Sequence, residues 1–315
     1  MREALEVLDP IRLNFEQGGV FLLNLILAFI MYGVALNIEL SHFKNIGKNP
    51  KSVVVGFLSQ FVILPFLTFL LTLAVSRWIT VGVALGMILV AACPGGNISN
   101  FISALARGNI ALSVSLTAIS SLTSIILTPF NFSLYGNAYL YFLTLKSNLS
   151  RPIEIDSVQM FQTVFIILGI PLLLGMLTNS RFPEFTKKIN KTIRILSLVF
   201  FAGFVIIAFR NNYEYFVRYI HYIFLIVLLH NALGLLGGYY FSKIMGQTSI
   251  NSRTIAIETG IQNSGLALAL IFNPKIFPIE LEIGGMAFIA AWWGIWHIIS
   301  GVAIAYWWRR QTPND

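Results

Sequence analysis

The sequence has few charged residues and a single cysteine. Only 11% of its 315 residues are charged, whereas a soluble domain carries roughly 25%. Such a small charged fraction does not cover a water-facing surface, which excludes an ordinary soluble enzyme or a disordered tail. Cys93 alone forms no disulfide within the chain. The net charge is +8, but the basic residues form no continuous patch, so we expect no nucleic-acid partner.

Long apolar runs are abundant instead. A membrane-crossing helix needs about 20 mostly apolar residues, and the sequence contains nine such runs. They are Val20–Leu40, Ser52–Val75, Trp78–Ala106, Ile110–Leu134, Val158–Thr178, Ile193–Phe209, Tyr219–Ser242, Thr254–Phe272 and Ile283–Trp308. The sequence therefore predicts an all-α polytopic protein with nine transmembrane helices, in which residues 20–309 form a single unit in the lipid bilayer.

The charges of the loops predict the orientation. If the N-terminus lies outside, the inner segments contain 13 of the 21 lysines and arginines. Basic residues accumulate on the cytoplasmic side of membrane proteins. We therefore expect residues 1–19 outside the cell, residues 310–315 as a cytoplasmic tail, and a location in the cell (inner or plasma) membrane. Residues 1–19 also lack the layout of a cleaved signal peptide.

Two of the apolar runs are interrupted by polar, glycine-rich segments. Cys93–Asn100 contains Pro94 followed by two glycines, and Glu258–Gly265 has glycines on both sides of a polar run. Proline removes a backbone donor and glycine favours non-helical dihedral angles, so we expect both helices to break here. Non-helical backbone at membrane depth survives only inside protein or beside a cavity. Two such breaks are the pattern of a secondary transporter with a binding site at the membrane midplane.

The positions of the breaks also indicate an internal repeat. Each interrupted span is followed by one further span, and the polar stretch Tyr135–Ser157 is interpreted as a linker between halves. The halves are then residues 20–134 and 158–309. The second contains five spans and the first contains four, so the first resembles the same unit without its first helix. Units of five helices in series have inverted topology.

Glu258 is the one acidic residue well inside a span. A carboxylate there costs at least about 2.5 kcal/mol, and no lysine or arginine lies at matching depth. A bound cation is the favoured partner, and a protonated structural glutamate is the alternative. Hydroxyl groups recur at helical spacing on the fourth span, at Ser113, Thr117, Ser121 and Ser124. They are either oxygen ligands for a hard cation or contacts between helices.

Three segments together resemble the bile acid:sodium symporter family. They are LVAACPGGNISN at residues 89–100, ARGNIALS at residues 106–113 and IETGIQNSGL at residues 257–266. The likeness extends from about Ile30 to Trp308. It implies two discontinuous, crossing helices within a core domain, a flatter panel domain, and two sodium ions behind the crossing.

The resemblance also implies the site residues. The first sodium site would consist of Ser99, Asn100, Ser113, Thr117 and Glu258. The second would consist of Gln60, Glu258, Gln262 and the backbone oxygens of Thr259 and Ile261. The substrate would lie beside the crossing near Asn97 and Asn263, together with Pro94, Gly95 and Gly96. Helix N-termini at the breaks would attract its anionic group without an arginine.

The function expected from these features is sodium-coupled symport of an organic anion by alternating access. The anion would be a bile acid or a smaller carboxylate or sulfonate. A carrier that is proton-coupled or uncoupled is the first alternative, with Glu258 titrating in the proton-coupled case. A membrane receptor that binds an amphipathic ligand without moving it is the second. We expect no enzymatic activity, because no nucleophile–base pair or metal-ligand set lies at membrane depth.

Overall fold

A computed structural model of the chain describes residues 2–11, 17–36, 50–96, 98–147, 155–211, 213–277 and 281–311. These residues form helices joined by short connections. The helices are α1 (Arg2–Glu6), α2 (Gln17–Ala35), α3 (Pro50–Ala74), α4 (Val81–Ala92), α5 (Ser99–Leu105), α6 (Ile110–Ser147), α7 (Ser157–Arg181), α8 (Pro183–Asn211), α9 (Tyr213–Ile244), α10 (Ser249–Gly260), α11 (Ser264–Ile271) and α12 (Gly284–Arg309).

The predicted all-α class is confirmed. Within the described ranges, five helices are long and apolar enough to cross a membrane, namely α3, α7, α12 and the apolar parts of α6 and α9. Shorter apolar helices lie at Asn24–Ala35 in α2 and at Val81–Ala92 in α4. The structure therefore supports a polytopic membrane protein, and the count of nine crossings stays a prediction.

Helix α6 is longer than the sequence predicts. It continues past Leu134 to Ser147, so the linker expected from Tyr135 does not begin there. Tyr139 and Leu140 are buried in the main apolar core, which explains why this stretch stays helical despite its polar residues. Most of the rest of the predicted linker, residues 148–154, lies outside the described residues.

Both predicted helix breaks are confirmed. The third span divides into α4, which ends at Ala92, and α5, which begins at Ser99. The eighth divides into α10, which ends at Gly260, and α11. Helix α11 begins where Asn263 Oδ1 accepts a hydrogen bond of 3.0 Å from the Leu266 backbone N–H, a side-chain cap that replaces a missing helical acceptor.

A π-helical turn in α3 lies opposite these breaks. It covers Ser59–Ile63, and the Leu64 N–H donates to the Ser59 carbonyl. Pro65 follows and has no N–H for the Phe61 carbonyl, which instead accepts a 2.9 Å hydrogen bond from Asn131 Nδ2 on α6. The turn carries the side chain of Gln60, which is 3% exposed, to the interior. Such turns are frequent at functional sites.

Helices α2, α7 and α8 pack closely against one another, and α2 and α7 also contribute to the main apolar core. A Cβ on Gly175 of α7 would meet Ala35 and the Tyr32 carbonyl of α2, and a Cβ on Gly33 would lie 2.9 Å from Ile193 of α8. The Tyr32 hydroxyl also donates to Thr178 Oγ1 at 3.2 Å. Glycine thus permits the close approach of α2 to a neighbour on each side.

The N-terminal segment is docked against the ends of α4 and α12. Leu5 and Leu8 are completely buried. The Asp9 carboxylate accepts hydrogen bonds from Thr80 Oγ1, at 3.1 Å, and from the backbone of Gly285. Its backbone oxygen accepts from the Gly284 N–H at 3.0 Å. Asp9 therefore supplies acceptors for unpaired N–H groups at the start of α12.

We expect Asp9 to make the stability depend on pH. Burial raises the pKa of Asp9 from 3.8 to about 6, and hydrogen bonds from Thr80 and Gly285 only partly oppose it. The folded protein therefore binds this proton more tightly than the unfolded chain. Its stabilising contribution is complete below pH 3.8 and is lost as the pH rises through about 6. Asp9→Asn should flatten the fall in melting temperature between pH 4 and 7, and an unchanged pH slope in this variant would contradict the assignment.

Candidate functional site

The two helix breaks lie against each other and share backbone hydrogen bonds. Gly95 and Gln262 form an isolated antiparallel bridge. The Gly96 N–H donates to the Ile261 carbonyl at 2.7 Å, and the Asn263 N–H donates to the Pro94 carbonyl at 2.9 Å. Each break thus satisfies backbone groups that the other leaves unpaired, which is the condition for non-helical backbone inside a membrane.

Glycines allow this approach. A Cβ on Gly95 would lie 3.1 Å from Glu258 Oε2, and one on Gly96 would lie 3.1 Å from the Gln262 carbonyl oxygen. Both contacts are tighter than ordinary van der Waals distance. The glycines of the first break therefore bring its backbone against the carboxylate carried by α10.

Glu258 lies at the crossing, only 3% exposed, and hydroxyl groups surround it. Its Oε1 accepts hydrogen bonds from Ser99 Oγ at 2.7 Å and Ser113 Oγ at 2.5 Å, and its Oε2 accepts from Thr117 Oγ1 at 3.2 Å. These donors come from α5 and α6, whereas Glu258 belongs to α10. Three helices separated in sequence therefore converge on one carboxylate.

Asn100 completes this group. Its Oδ1 lies 2.8 Å from Ser113 Oγ and 3.3 Å from Thr117 Oγ1. The structure thus brings together all five residues predicted for the first site. The hydroxyl stripe on α6 does not act as one unit, because Ser124 Oγ donates to the carbonyl of Ser121 on its own helix.

No basic side chain compensates Glu258 within the described part of the chain. The ion pairs found there are Arg2–Glu6 and Lys187–Glu184. Arg253 is 3% exposed and directs its guanidinium to the carbonyls of Ala106 and Gln311. A compact set of oxygen atoms around an unpaired carboxylate is the environment that hard cations prefer.

The residues predicted for the second site also meet. Gln60 Nε2 donates to Gln262 Oε1 at 2.8 Å and to the Cys93 carbonyl at 3.0 Å. Gln262 Nε2 donates to the Thr259 carbonyl at 2.6 Å. The Ile261 carbonyl accepts a hydrogen bond from the Gly96 N–H. The backbone oxygens of Thr259 and Ile261, both predicted as ligands, therefore accept hydrogen bonds in this structure.

A small cavity lies between the two groups. Its volume is about 10 Å³, and Gly56, Phe57, Gln60, Leu116, Ser120 and Glu258 line it. A space of roughly 10–15 Å³ holds a single water molecule. The cavity therefore lies between Gln60 and Glu258 and has room for one water molecule or one small ion.

The predicted substrate residues differ in exposure. Pro94, Gly95 and Gly96 are buried in the crossing. Asn263 is half-buried, and its Oδ1 serves as the cap of α11. Asn97 lies outside the described residues.

Sequence reasoning missed two polar residues that contact the second break and a third that contacts one of them. Ser59 Oγ lies 2.7 Å from Thr259 Oγ1. Asn231 Nδ2 donates to the Gly260 carbonyl at 2.8 Å, and Ser300 Oγ donates to Asn231 Oδ1 at 2.5 Å. Each is a polar residue inside an apolar span, which was the available signal, because such residues need a partner at membrane depth.

Comparison with known proteins identifies the family. A family model described as the sodium bile acid symporter family matches residues 24–219. The chain is 31% identical to the uncharacterized sodium-dependent transporter YocS of Bacillus subtilis over 295 residues. This match covers 93% of this chain and 84% of YocS. It is 29% identical over 296 residues to the ileal sodium/bile acid cotransporter of Cricetulus griseus, covering 90% and 79% respectively.

A plant protein gives a similar match. The probable sodium/metabolite cotransporter BASS1 of Arabidopsis thaliana is 29% identical over 292 residues, which cover 92% of this chain and 67% of that protein. The family model covers the first helix break, and the second break at Glu258–Gly265 lies beyond the residues that the model matches. The chain therefore belongs to the sodium bile acid symporter family and is a sodium-dependent membrane transporter rather than an enzyme.

Proposed function

We propose that this protein couples the inward movement of sodium to the uptake of an organic anion. The observation that carries the proposal is the buried Glu258 carboxylate, which accepts hydrogen bonds from Ser99, Ser113 and Thr117. A relative is named a sodium/bile acid cotransporter, which supports a bile acid or a smaller carboxylate or sulfonate as the substrate.

The first sodium ion binds between Glu258 and the surrounding oxygens. Each hydroxyl group has lone pairs as well as one proton, so rotation of the proton turns a donor into a ligand. Asn100 Oδ1 faces the same hydroxyls and supplies a further oxygen. Sodium binding thereby replaces hydrogen bonds from α5 and α6 with ion contacts and neutralises the buried charge.

The second sodium ion binds beside Gln60 and Gln262. The cavity of about 10 Å³ between Gln60 and Glu258 supports this location. Breaking the Gln262–Thr259 hydrogen bond would release a backbone oxygen for the ion. Free carbonyl groups of unwound helices are the usual sodium ligands of transporters built in this way.

The anionic group of the substrate binds beside the crossing, near Asn97 and Asn263. The half-buried Asn263 carries an amide donor next to the start of α11. Helix N-termini favour negative charge. Pro94, Gly95 and Gly96 determine the backbone conformation of this region, and their burial supports this structural role.

Transport proceeds by alternating access. We assign α2, α7 and α8, which pack through Gly33 and Gly175, to the panel domain, and the helices that surround the crossing to the core. Sodium ties the broken helices together, and the core then moves against the panel. The chain crosses the membrane nine times, and its N-terminus lies outside the cell.

Sodium is favoured over the proton as the coupling ion by the relatives, two of which are named a sodium-dependent transporter and a sodium/bile acid cotransporter. The compact set of oxygen atoms around Glu258 also suits a hard cation. Receptor activity without transport has no structural observation in its favour.

Replacing Glu258 should remove the response to sodium. The purified wild-type protein should melt at a higher temperature as sodium replaces choline, since a ligand at 100 times its Kd adds about 2.7 kcal/mol of stability. Glu258→Gln should abolish this gain, whereas Glu184→Gln at an exposed ion pair should retain it. A full sodium response in Glu258→Gln would exclude Glu258 as a ligand.

The imposed gradient should determine uptake. Proteoliposomes with an inward sodium gradient should accumulate labelled taurocholate or a smaller carboxylate or sulfonate, and an inward proton gradient without sodium should not. Accumulation driven by protons alone would favour the proton-coupled alternative. Binding of the anion without accumulation under either gradient would favour a receptor.

A methyl group at Gly95 should weaken sodium binding. Gly95→Ala places a Cβ about 3.1 Å from Glu258 Oε2 and displaces the carboxylate from its hydroxyl donors. We expect the sodium concentration that gives half-maximal stabilisation to rise roughly tenfold, which corresponds to about 1.4 kcal/mol. Gly203→Ala on α8, where a Cβ has open space, is the control. Equal half-maximal concentrations in the two variants would refute the close-contact argument.

A further inference from the structure

Asn231 on α9 holds the carbonyl group at the end of α10. Its Nδ2 donates to Gly260 O at 2.8 Å, and the residue is only 1% exposed. Gly260 is the last residue of α10, where carbonyl groups have no partner within the helix. A carbonyl oxygen only accepts, so the contact fixes which end of the Asn231 amide faces it.

Ser300 on α12 fixes the other end of the same amide. Its hydroxyl donates to Asn231 Oδ1 at 2.5 Å. Asn231 is thus held between a donor on α12 and an acceptor on α10. Both polar ends of the buried amide are satisfied, which favours one rotamer over the others.

Gly260 needs a restraint from outside its own helix. A Cβ there would collide with Leu235 of α9, and a Cβ on Gly234 would lie 3.3 Å from the Gly260 Cα. The close packing of α9 therefore requires glycine at this position. Glycine is also the residue with the greatest backbone freedom, so its own dihedral preferences do not fix the direction of the carbonyl.

The first break has a parallel arrangement. Gln60 Nε2 on α3 donates to the carbonyl of Cys93, the residue that follows the end of α4. A side-chain amide from a neighbouring helix thus holds the terminal carbonyl at both breaks. Gln60 Nε2 also donates a hydrogen bond to Gln262 Oε1, whereas Asn231 Oδ1 accepts one from Ser300 Oγ.

We propose that Asn231 is a positioning residue for the second sodium site. Gly260 lies between Thr259 and Ile261, whose carbonyl groups belong to that site under the proposed function on which this inference rests. Because neighbouring peptide planes share a Cα atom, holding the Gly260 carbonyl restricts the directions of the two carbonyls beside it. Asn231 acts through the backbone and does not contact the ion.

The first test is the sodium dependence of thermal stability in the full-length protein. Asn231→Ala should raise the sodium concentration for half-maximal stabilisation by about fivefold to tenfold, the effect of losing one hydrogen bond. Ser300→Ala keeps the Asn231 amide but removes the hydrogen bond to its Oδ1, so it should raise the half-maximal sodium concentration by a smaller factor. If Asn231→Ala does not fold, Ser300→Ala serves as the test variant.

Thr68→Val is the matched control. Thr68 Oγ1 lies 2.8 Å from His230 Nε2, so the variant removes a buried contact between α3 and α9 one residue away from Asn231. It should lower the melting temperature without sodium and leave the half-maximal sodium concentration unchanged. An equal shift in Thr68→Val would show that general packing, and not the Gly260 carbonyl, explains the effect.

The single cysteine supplies a second readout that does not depend on sodium binding. Cys93 is completely buried at the crossing, and the second break is bonded to Pro94 and Gly96 beside it. Loosening Gly260 should therefore increase the rate at which a small maleimide labels Cys93. Asn231→Ala should label several times faster than the wild type and Thr68→Val.

These readouts separate the inference from the proposed function. If the wild type shows no sodium stabilisation, the proposed function fails, and the labelling rate alone decides whether Asn231 holds the break. If the wild type responds and Asn231→Ala has an unchanged half-maximal concentration, Asn231 is not a positioning residue. Equal labelling rates in the wild type and Asn231→Ala would overturn the inference in either case.

Discussion

The need to satisfy backbone groups at membrane depth governs this structure. Two helices are interrupted, and each interruption exposes N–H and C=O groups that lipid does not solvate. The two breaks pair with each other through Gly95 and Gln262, and amides from α3 and α9 hold the carbonyls of Cys93 and Gly260. The surrounding helices are thus arranged around one small region of irregular backbone, and its position determines where binding chemistry is available.

The buried carboxylate adds a second requirement, because a charge without a partner is unstable in this environment. The hydroxyls of Ser99, Ser113 and Thr117 reduce this cost by donating to Glu258. They do not neutralise the charge. In the proposed cycle the same oxygens become ligands when sodium enters, so a single set of residues stabilises Glu258 both with and without the ion. This dual use fits a site that must be filled and emptied repeatedly.

Sequence patterns were sufficient for the features that depend on local chemistry. Pro94 and the paired glycines marked the first break, and glycines on both sides of a polar run marked the second. The length of α6 was missed, because burial of Tyr139 depends on partners distant in sequence. The role of Asn231 was also missed, since a single asparagine in an apolar span does not indicate which carbonyl it meets. Periodicity shows which face is polar, whereas tertiary packing selects the partner.

The hydrogen bonds at the crossing also connect the two proposed ion sites. Glu258 belongs to both, and Gln60 and Gln262 join the second site to the backbone of both breaks. An ion that draws the Thr259 carbonyl away from Gln262 changes the contacts of the residue that pairs with Gly95. Gly95 in turn lies against Glu258. In the proposed cycle, occupancy of either site alters the geometry of the other through these hydrogen-bonded groups, and we expect the two sodium ions to bind cooperatively.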